Sequence, residues 1–168
     1  MKNNVWARTL LFTYKNLEIL ASSIDKLVEK HALNSFYNIS SSIQDNSVMA
    51  VTNRIYALMD RKINLINIKV LIEETLEKSD QLSAQLLIER YIDGDRSEIV
   101  AERHGLPLRT YFRKLQQAED SFTSKIASRG FTDDKLKEQL KQEKWIMDVY
   151  RNFLSKRVGE LEELEEAI

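Results

Sequence analysis

Two arginines in one short segment have the residue type and the spacing that reading of DNA bases requires. Arg109 and Arg113 lie four residues apart, so on a helix they project from one face near its N-terminus. The planar guanidinium fork of arginine can pair bidentately with O6 and N7 of guanine in the major groove. Leu108 and Phe112 are their neighbours and offer apolar contact for a thymine methyl group. These four residues form the predicted base-reading set.

Further polar and basic residues nearby suit contacts to the phosphate backbone, which position a protein on DNA without reading its sequence. The predicted backbone set is Arg96, Arg103, Thr110, Lys114 and Lys125. Basic residues outnumber acidic ones between Arg96 and Arg129, although the formal net charge of the whole chain is -1. Because salt screens charges beyond about 10 Å, the attraction to DNA would be local to this segment.

A helix-turn-helix is predicted to hold these residues in place. A helix carrying Leu86, Leu87 and Tyr91 is expected to stop at Gly94, and a short helix follows with Val100, Ala101 and His104 on one side. Gly105 stands where a left-handed turn is needed, Leu106 can fill the core beneath it, and Pro107 suits the first turn of the next helix. In that third helix an apolar stripe recurs at spacings of four, three and four and is expected to be buried. Its members are Tyr111, Leu115, Ala118 and Phe122.

Two other interpretations of this segment compete with a DNA reader. It could be a plain helical hairpin within a bundle, or a three-helix unit that contacts another protein instead of DNA. We favour DNA binding because the glycine, the apolar residue after it and the separation of apolar from basic faces all agree. His104 is interpreted as a packed histidine rather than a pH switch or metal ligand, because the only other histidine, His31, is far away in the sequence.

The composition argues against an enzyme. The 168 residues include no cysteine, which excludes disulfides, thiolate metal sites and a cysteine nucleophile. We find no glycine-rich phosphate loop and no nucleophile elbow, and adjacent pairs such as Glu73 and Glu74 face different directions on a helix. No catalytic residue, cofactor or metal is therefore predicted. A membrane span and a signal peptide are also not expected, which favours the cytoplasm.

The chain as a whole is predicted to be all-α, with long helices, because it contains only 4 glycines and 1 proline. We expect an N-terminal helical bundle or oligomerisation region over 1–79, a helix-turn-helix DNA-binding domain over 80–129, and a C-terminal helix over 130–168. Within the first region, one helix spans about Val5 to Lys30 and another about Ser47 to Glu77. The polar segment from Asn34 to Asn46 is predicted to be the loop between them.

The second long helix carries two neighbouring apolar stripes. One stripe consists of Val51, Ile55, Leu58, Leu65, Ile72 and Leu76. The other consists of Met59, Ile63, Ile66 and Val70. Together they make an apolar face wider than a surface helix needs, which is typical of the centre of a bundle and also of a surface that pairs with a second subunit. Both interpretations can hold together, so a homodimer through the long helices stays open.

The spacing of Gly94, Ala101, Gly105-Leu106, Thr110, Leu115 and Ala118 resembles the helix-turn-helix of region 4 of bacterial sigma-70-type factors. In that family the motif reads the promoter −35 element and touches RNA polymerase, and Leu108, Arg109, Phe112 and Arg113 fall at its base-facing positions. The wider layout resembles the ArpU-like phage and prophage transcriptional regulators of Gram-positive bacteria. Pro107 and His104 depart from the family pattern, and no segment resembles region 2, which melts promoter DNA.

The resemblance implies a sequence-specific, duplex-DNA-binding transcriptional regulator of phage or mobile-element type. Double-stranded DNA is the expected partner, with RNA polymerase as a further candidate. Two alternatives stay open at this point. One is a DNA-packaging protein of the small-terminase type, which would assemble into rings, and the other is a sigma-like interaction module that binds polymerase or a regulator without DNA.

Overall fold

The computed structural model describes residues 4–39 and 45–166, with side chains described over 4–34 and 48–156. Its helices are α1 (Val5–Ile39), α2 (Asp45–Glu77), α3 (Gln81–Leu87), α4 (Ser97–Arg103), α5 (Leu108–Ser128), α6 (Asp133–Leu140) and α7 (Lys144–Glu166). A π-helical turn over Ile88–Ile92 continues α3. These described residues contain no strand, so the predicted all-α class is confirmed.

The connector between the first two helices is shorter than predicted. α1 continues past Lys30 to Ile39, and α2 begins at Asp45. Both ends of the segment from Asn34 to Asn46, which was predicted to be a loop, are therefore helical. Residues 40–44, in the middle of that segment, lie outside the described residues. Serine and asparagine lower helix propensity by only fractions of a kcal/mol each, and no glycine or proline stands between Asn34 and Asn46. The polar composition of this segment therefore predicted a loop at positions that are helical.

The prediction of a single C-terminal helix is wrong, because α6 and α7 are separate helices. The first begins at Asp133, and the preceding Thr132 caps it, with its side chain accepting a hydrogen bond from the Lys135 backbone N–H at 3.4 Å. It ends at Leu140, and α7 starts at Lys144. The connector contains neither glycine nor proline, so no local signal marks it. The side chains of the acidic segment Glu160 to Glu166 lie outside the described residues.

Contacts between residues divide the chain into two compact units. One unit combines the chain up to Tyr14 with everything from Val70 onward, and the other is Lys15–Lys69. The first unit thus joins the beginning of α1 to the segment that contains the predicted helix-turn-helix. These units differ in their bounds from the functional domains over 1–79, 80–129 and 130–168, which stay a prediction.

The core of the first unit forms where α5 packs against α3 and α4. Leu86 and Leu87 of α3, Val100 of α4, and Tyr111 and Phe122 of α5 are all fully buried. The start of α1 joins this unit through aromatic contacts to α7. Trp6 stacks on Tyr150 with ring centroids 4.4 Å apart, and Phe12 meets Phe153 edge-on at 5.8 Å.

The second unit is an antiparallel helical hairpin. Lys62 of α2 pairs with Asp25 of α1 at 2.6 Å, and Lys69 pairs with Glu18 at 3.6 Å. Since the α2 position advances by seven residues while the α1 position retreats by seven, the two helices run in opposite directions. Leu17, Ile24, Leu65 and Ile68 are the large apolar residues buried here.

The two apolar stripes of α2 differ in burial. Members of the first are buried or half-buried. Members of the second are exposed, with 51% of Ile63 and 42% of Ile66 accessible to solvent. The described helices include none with the length and apolar run needed to cross a membrane.

Candidate nucleic-acid interface

The helix α5 separates a buried apolar face from an exposed polar face, which is basic in its first two turns. Tyr111, Leu115, Ala118 and Phe122 are buried, which confirms the stripe predicted from their spacing. Arg109 and Arg113 are exposed on the other side, together with Gln116 and Gln117. Leu108 and Phe112 are 43% and 48% exposed, although both are large and apolar. The four predicted base-reading residues therefore share the exposed part of the first turns of α5.

A tight turn connects α4 to this helix. The Leu106 backbone N–H donates to the Ala101 carbonyl at 2.9 Å, and the Gly105 N–H donates to the Glu102 carbonyl at 3.0 Å. Gly105 adopts a φ of +64°, in the left-handed region that favours glycine. Pro107 is extended and precedes α5, rather than lying in its first turn as predicted, and its carbonyl accepts from the Tyr111 N–H at 2.9 Å. The turn thus fixes the direction in which α5 leaves α4.

We expect Gly105→Ala to lower the free energy of unfolding by about 1–2 kcal/mol, because an L-residue is strained in the left-handed region. A Cβ added at this position would meet nothing within 4 Å, so the cost is one of backbone conformation alone. Gly105→Asn should lose less than Gly105→Ala, since asparagine visits this region more readily. Urea unfolding of the three proteins checks this order. Equal losses in both variants would indicate a steric cause instead.

Four of the predicted DNA-contacting cations have no carboxylate partner within the part of the chain that the structure describes. They are Arg96, Arg109, Arg113 and Lys114. Arg96 precedes α4, and the other three lie in the first two turns of α5. Arg96, Arg109 and Arg113 are exposed and Lys114 is half-buried. A cation that no acidic group neutralises keeps its attraction for an anionic ligand.

Arg103 and Lys125 are held by neighbouring residues. Arg103 donates from Nη1 to Glu89 at 2.9 Å and to Asp95 at 3.1 Å. Lys125 donates from Nζ to the backbone carbonyl of Lys78 at 3.1 Å, close to the end of α2. Both cations therefore have a structural role, and a phosphate would compete with their present partners. The last predicted backbone contact, Thr110, is half-buried in the first turn of α5.

Glu89 ties the π-helical turn to the end of α4. One of its oxygens accepts from Arg103, and the other is 2.5 Å from Nε2 of His104. Burial disfavours the charged form of Glu89, but the hydrogen bonds from His104 and Arg103 outweigh it and lower the pKa of this carboxyl. His104 is thus half-buried and has a hydrogen-bond partner, which agrees with its interpretation as a packed histidine.

A lowered folded-state pKa means that ionised Glu89 stabilises the fold at neutral pH. This contribution is complete above the ordinary glutamate pKa of 4.5 and is lost as the pH falls from there through the lowered value. At pH 7 we expect Glu89→Gln to cost about 1.5–3 kcal/mol, the size of a hydrogen bond to a charged group. The difference from the wild type in free energy of unfolding should be retained down to about pH 4.5 and should shrink as the pH falls from 4.5 to 3. A difference that stays constant over this range would contradict the role of the charge.

A buried carboxylate anchors α5 to the start of α1. Glu119 is 1% exposed and accepts hydrogen bonds at 3.2 Å from both Nε and Nη2 of Arg8. The hydroxyl of Tyr91 also donates to Glu119. Burial and the nearby charge of Glu119 raise the pKa of Tyr91, so its hydroxyl stays protonated as a donor. This cluster lies on the buried side of α5, away from the exposed arginines.

A second polar contact joins α5 to Asn4, the residue that precedes α1. The side chain of Asn4 donates from Nδ2 to Oδ1 of Asp120 at 2.7 Å, and its Oδ1 accepts from the Thr123 hydroxyl at 3.0 Å. Sequence reasoning missed this link and the Glu119 cluster. One signal was present, since Glu119 follows Leu115 by four residues and precedes Phe122 by three, which places a carboxylate on the predicted buried stripe.

Other kinds of site find no support in the described residues. No group of three or more potential ligands could hold a metal ion there. Comparison of the chain with protein-family models, curated proteins and solved structures finds no match. The candidate site of this chain is therefore the exposed surface of α4, α5 and the turn between them.

Proposed function

We propose that this chain is a sequence-specific duplex-DNA-binding protein that regulates transcription in a phage or mobile-element setting, in the cytoplasm. The observation that carries the proposal is the exposed face of α5. There Arg109 and Arg113 lack a carboxylate partner among the described residues, while the opposite face of the same helix is buried. In a helix-turn-helix, this is the end of the recognition helix that enters the major groove.

The N-terminus of α5 supports this assignment. Its first turn contains no acidic residue, and the residue that precedes it, Pro107, makes no side-chain capping bond. The backbone N–H groups there and the positive end of the helix dipole are favourable for a phosphate. Arg96 and Lys114 would add phosphate contacts that set the orientation on the duplex.

The resemblance to sigma region 4 gives the proposal its context. A −35-type reader without the promoter-melting module fits a regulator better than a complete initiation factor. We infer no enzymatic role, because no set of residues at this surface combines a nucleophile with a base.

A specific observation favours a second candidate, in which the same surface contacts a protein such as RNA polymerase. Ile99 of α4 is 48% exposed, in addition to Leu108 and Phe112 of α5. Exposed apolar residues of this size are unusual for a surface devoted to phosphates and are common in protein interfaces. The two candidates differ in how binding responds to salt.

Enrichment of random duplex DNA on the purified protein tests the proposal. We expect a defined sequence motif. The logarithm of the binding constant for this motif should fall linearly with the logarithm of the salt concentration, with a slope of about −0.9 for each phosphate contact. The protein-contact candidate predicts no enriched motif and binding to polymerase alone. Failure to enrich any motif, together with no salt-dependent affinity for duplex DNA, would overturn the proposal.

A further inference from the structure

An exposed apolar stripe runs along α2 in the second compact unit. It consists of Met49, Tyr56, Met59, Ile63 and Ile66, and we call it the α2 stripe. Each of these side chains is between 42% and 69% exposed. Five large apolar side chains in one row on an exposed helix face are more than scattered surface residues explain.

The spacing of the α2 stripe is that of a coiled-coil seam. Its members follow one another at intervals of seven, three, four and three residues, and Thr52 occupies the intermediate position in the first interval. Alternating intervals of three and four are the a and d positions of a heptad repeat, which insert into a partner helix of the same period. The other side of α2 already packs within its unit, where Leu65 and Ile68 are buried.

The partner helix must offer a matching row. Among the described side chains of α1 in this unit, the exposed large apolar ones are Ile19, Leu27 and Leu33, at intervals of eight and six, which do not form a seam. The α2 stripe itself has the required period and is self-complementary under a two-fold axis. We propose that the α2 stripe pairs with the α2 stripe of a second copy of this chain, with the two helices parallel.

The charges that flank the stripe favour the parallel orientation. Lys62 and Lys69 lie along one edge, at the g positions, and Asp60 and Asn67 lie along the other edge, at the e positions. In a parallel pair the g edge of one helix runs beside the e edge of its partner. An antiparallel pair instead brings like edges together, so lysine would face lysine. Acidic residues of α1 hold both lysines, which keeps them at the edge of the seam.

Sedimentation measurements over a wide concentration range test the pairing. The wild type is expected to be a dimer, and Ile63→Lys should raise the dissociation constant by at least about 100-fold, because it places a charge in the apolar seam. Ala57→Lys is the matched control, since Ala57 is exposed on α2 outside the stripe and gains the same side chain. Because Ile63 is half-exposed in the single chain, the variant should keep the wild-type helix content by circular dichroism. Met59→Lys repeats the test at a second stripe position.

The absence of cysteine allows a direct test of orientation. Tyr56→Cys and Ile66→Cys are prepared as separate proteins and oxidised with glutathione disulfide. A parallel pair brings each position next to its own copy, within the short Cα separation that a disulfide requires, so each variant should cross-link to itself. An antiparallel pair would cross-link only when the two variants are mixed, and that result would overturn the parallel arrangement.

Three sedimentation results would overturn the proposal as a whole: a monomer at every concentration, a dimer insensitive to Ile63→Lys and Met59→Lys, or a ring of more than two copies. None of these measurements involves DNA, so the pairing stands or fails independently of the proposed function. If the chain both binds duplex DNA and pairs through the α2 stripe, the enriched duplex should contain two half-sites related by two-fold symmetry.

Discussion

Removal of both exposed arginines, in Arg109→Ala with Arg113→Ala, is expected to lower the affinity for the enriched duplex by about 30-fold to 20,000-fold. A bidentate contact to guanine contributes about 1–3 kcal/mol of discrimination, and two such contacts are lost. The affinity should approach that for random duplex. Because both side chains are exposed and neither makes a hydrogen bond or ion pair among the described residues, the free energy of unfolding should change by less than about 0.5 kcal/mol.

Fluorescence anisotropy on matched and scrambled duplexes measures this effect. Arg151→Ala is the matched control, because Arg151 is an exposed arginine of α7 that pairs only with the neighbouring Asp148 among the described residues. It should bind as the wild type does. The base-reading assignment is wrong if the double variant also binds with unchanged affinity and unchanged sequence preference.

Substitution by lysine separates base reading from general attraction. Arg109→Lys with Arg113→Lys keeps both charges but removes the planar fork that matches guanine. Binding to scrambled duplex and its salt slope should therefore stay close to wild type, while the preference for the enriched motif falls. If the two arginines contact phosphates alone, the lysine variant should retain the preference as well.

Much of α5 and its surroundings could be predicted from the sequence, because the signals there are local. The intervals between Tyr111, Leu115 and Phe122 determine which side of the helix is buried. Gly105 indicated a left-handed turn, and the structure gives it a φ of +64°. Each of these features depends on residues within a few turns of one another.

The polar contacts that hold this segment could not be predicted in the same way. Arg8 and Glu119 are 111 residues apart, and no pattern in a single sequence pairs one charged residue with another at that distance. The ion pairs of Arg103 could not be predicted either, because the turn at Gly94 brings Glu89 and Asp95 beside it only in the folded protein. For this reason the sequence assigned Arg103 to phosphate contact on charge alone.

Helix ends were predicted well only where a capping residue or a breaker marks them. α2 ends at Glu77 as expected, and Thr132 marks the start of α6. The break between α6 and α7 carries no such signal, and its cause lies in packing. Leu136 and Leu140 of α6 and Ile146 and Tyr150 of α7 are all buried, so each helix presents its own apolar side to the core. Tertiary packing of this kind overrides local propensity.

The largest expected loss of stability comes from Arg8→Ala, at about 3 kcal/mol or more in free energy of unfolding. Glu119 is 1% exposed, so removal of its cationic partner leaves a buried carboxylate with Tyr91 as its remaining described donor. A buried charge that loses its partner typically costs about 3–5 kcal/mol, and the 31% exposure of the Arg8 side chain places the expected value at the lower end. Urea unfolding at pH 7 measures the loss, and Lys26→Ala is an exposed control on the same helix.

Two further variants show whether charge or packing causes that loss. In Arg8→Ala with Glu119→Gln the unpaired charge is gone, so stability should recover substantially relative to Arg8→Ala alone. In Arg8→Met with Tyr91→Phe and Glu119→Leu all three polar groups are replaced by apolar ones of similar size, and stability should approach or exceed that of the wild type. If Arg8 acts mainly through the packing of its stem, Glu119→Gln will recover nothing. The contact between Arg8 and Glu119 would then stabilise the packing of α1 on α5 through apolar contacts of the Arg8 stem, and its charges would not contribute to the free energy of unfolding.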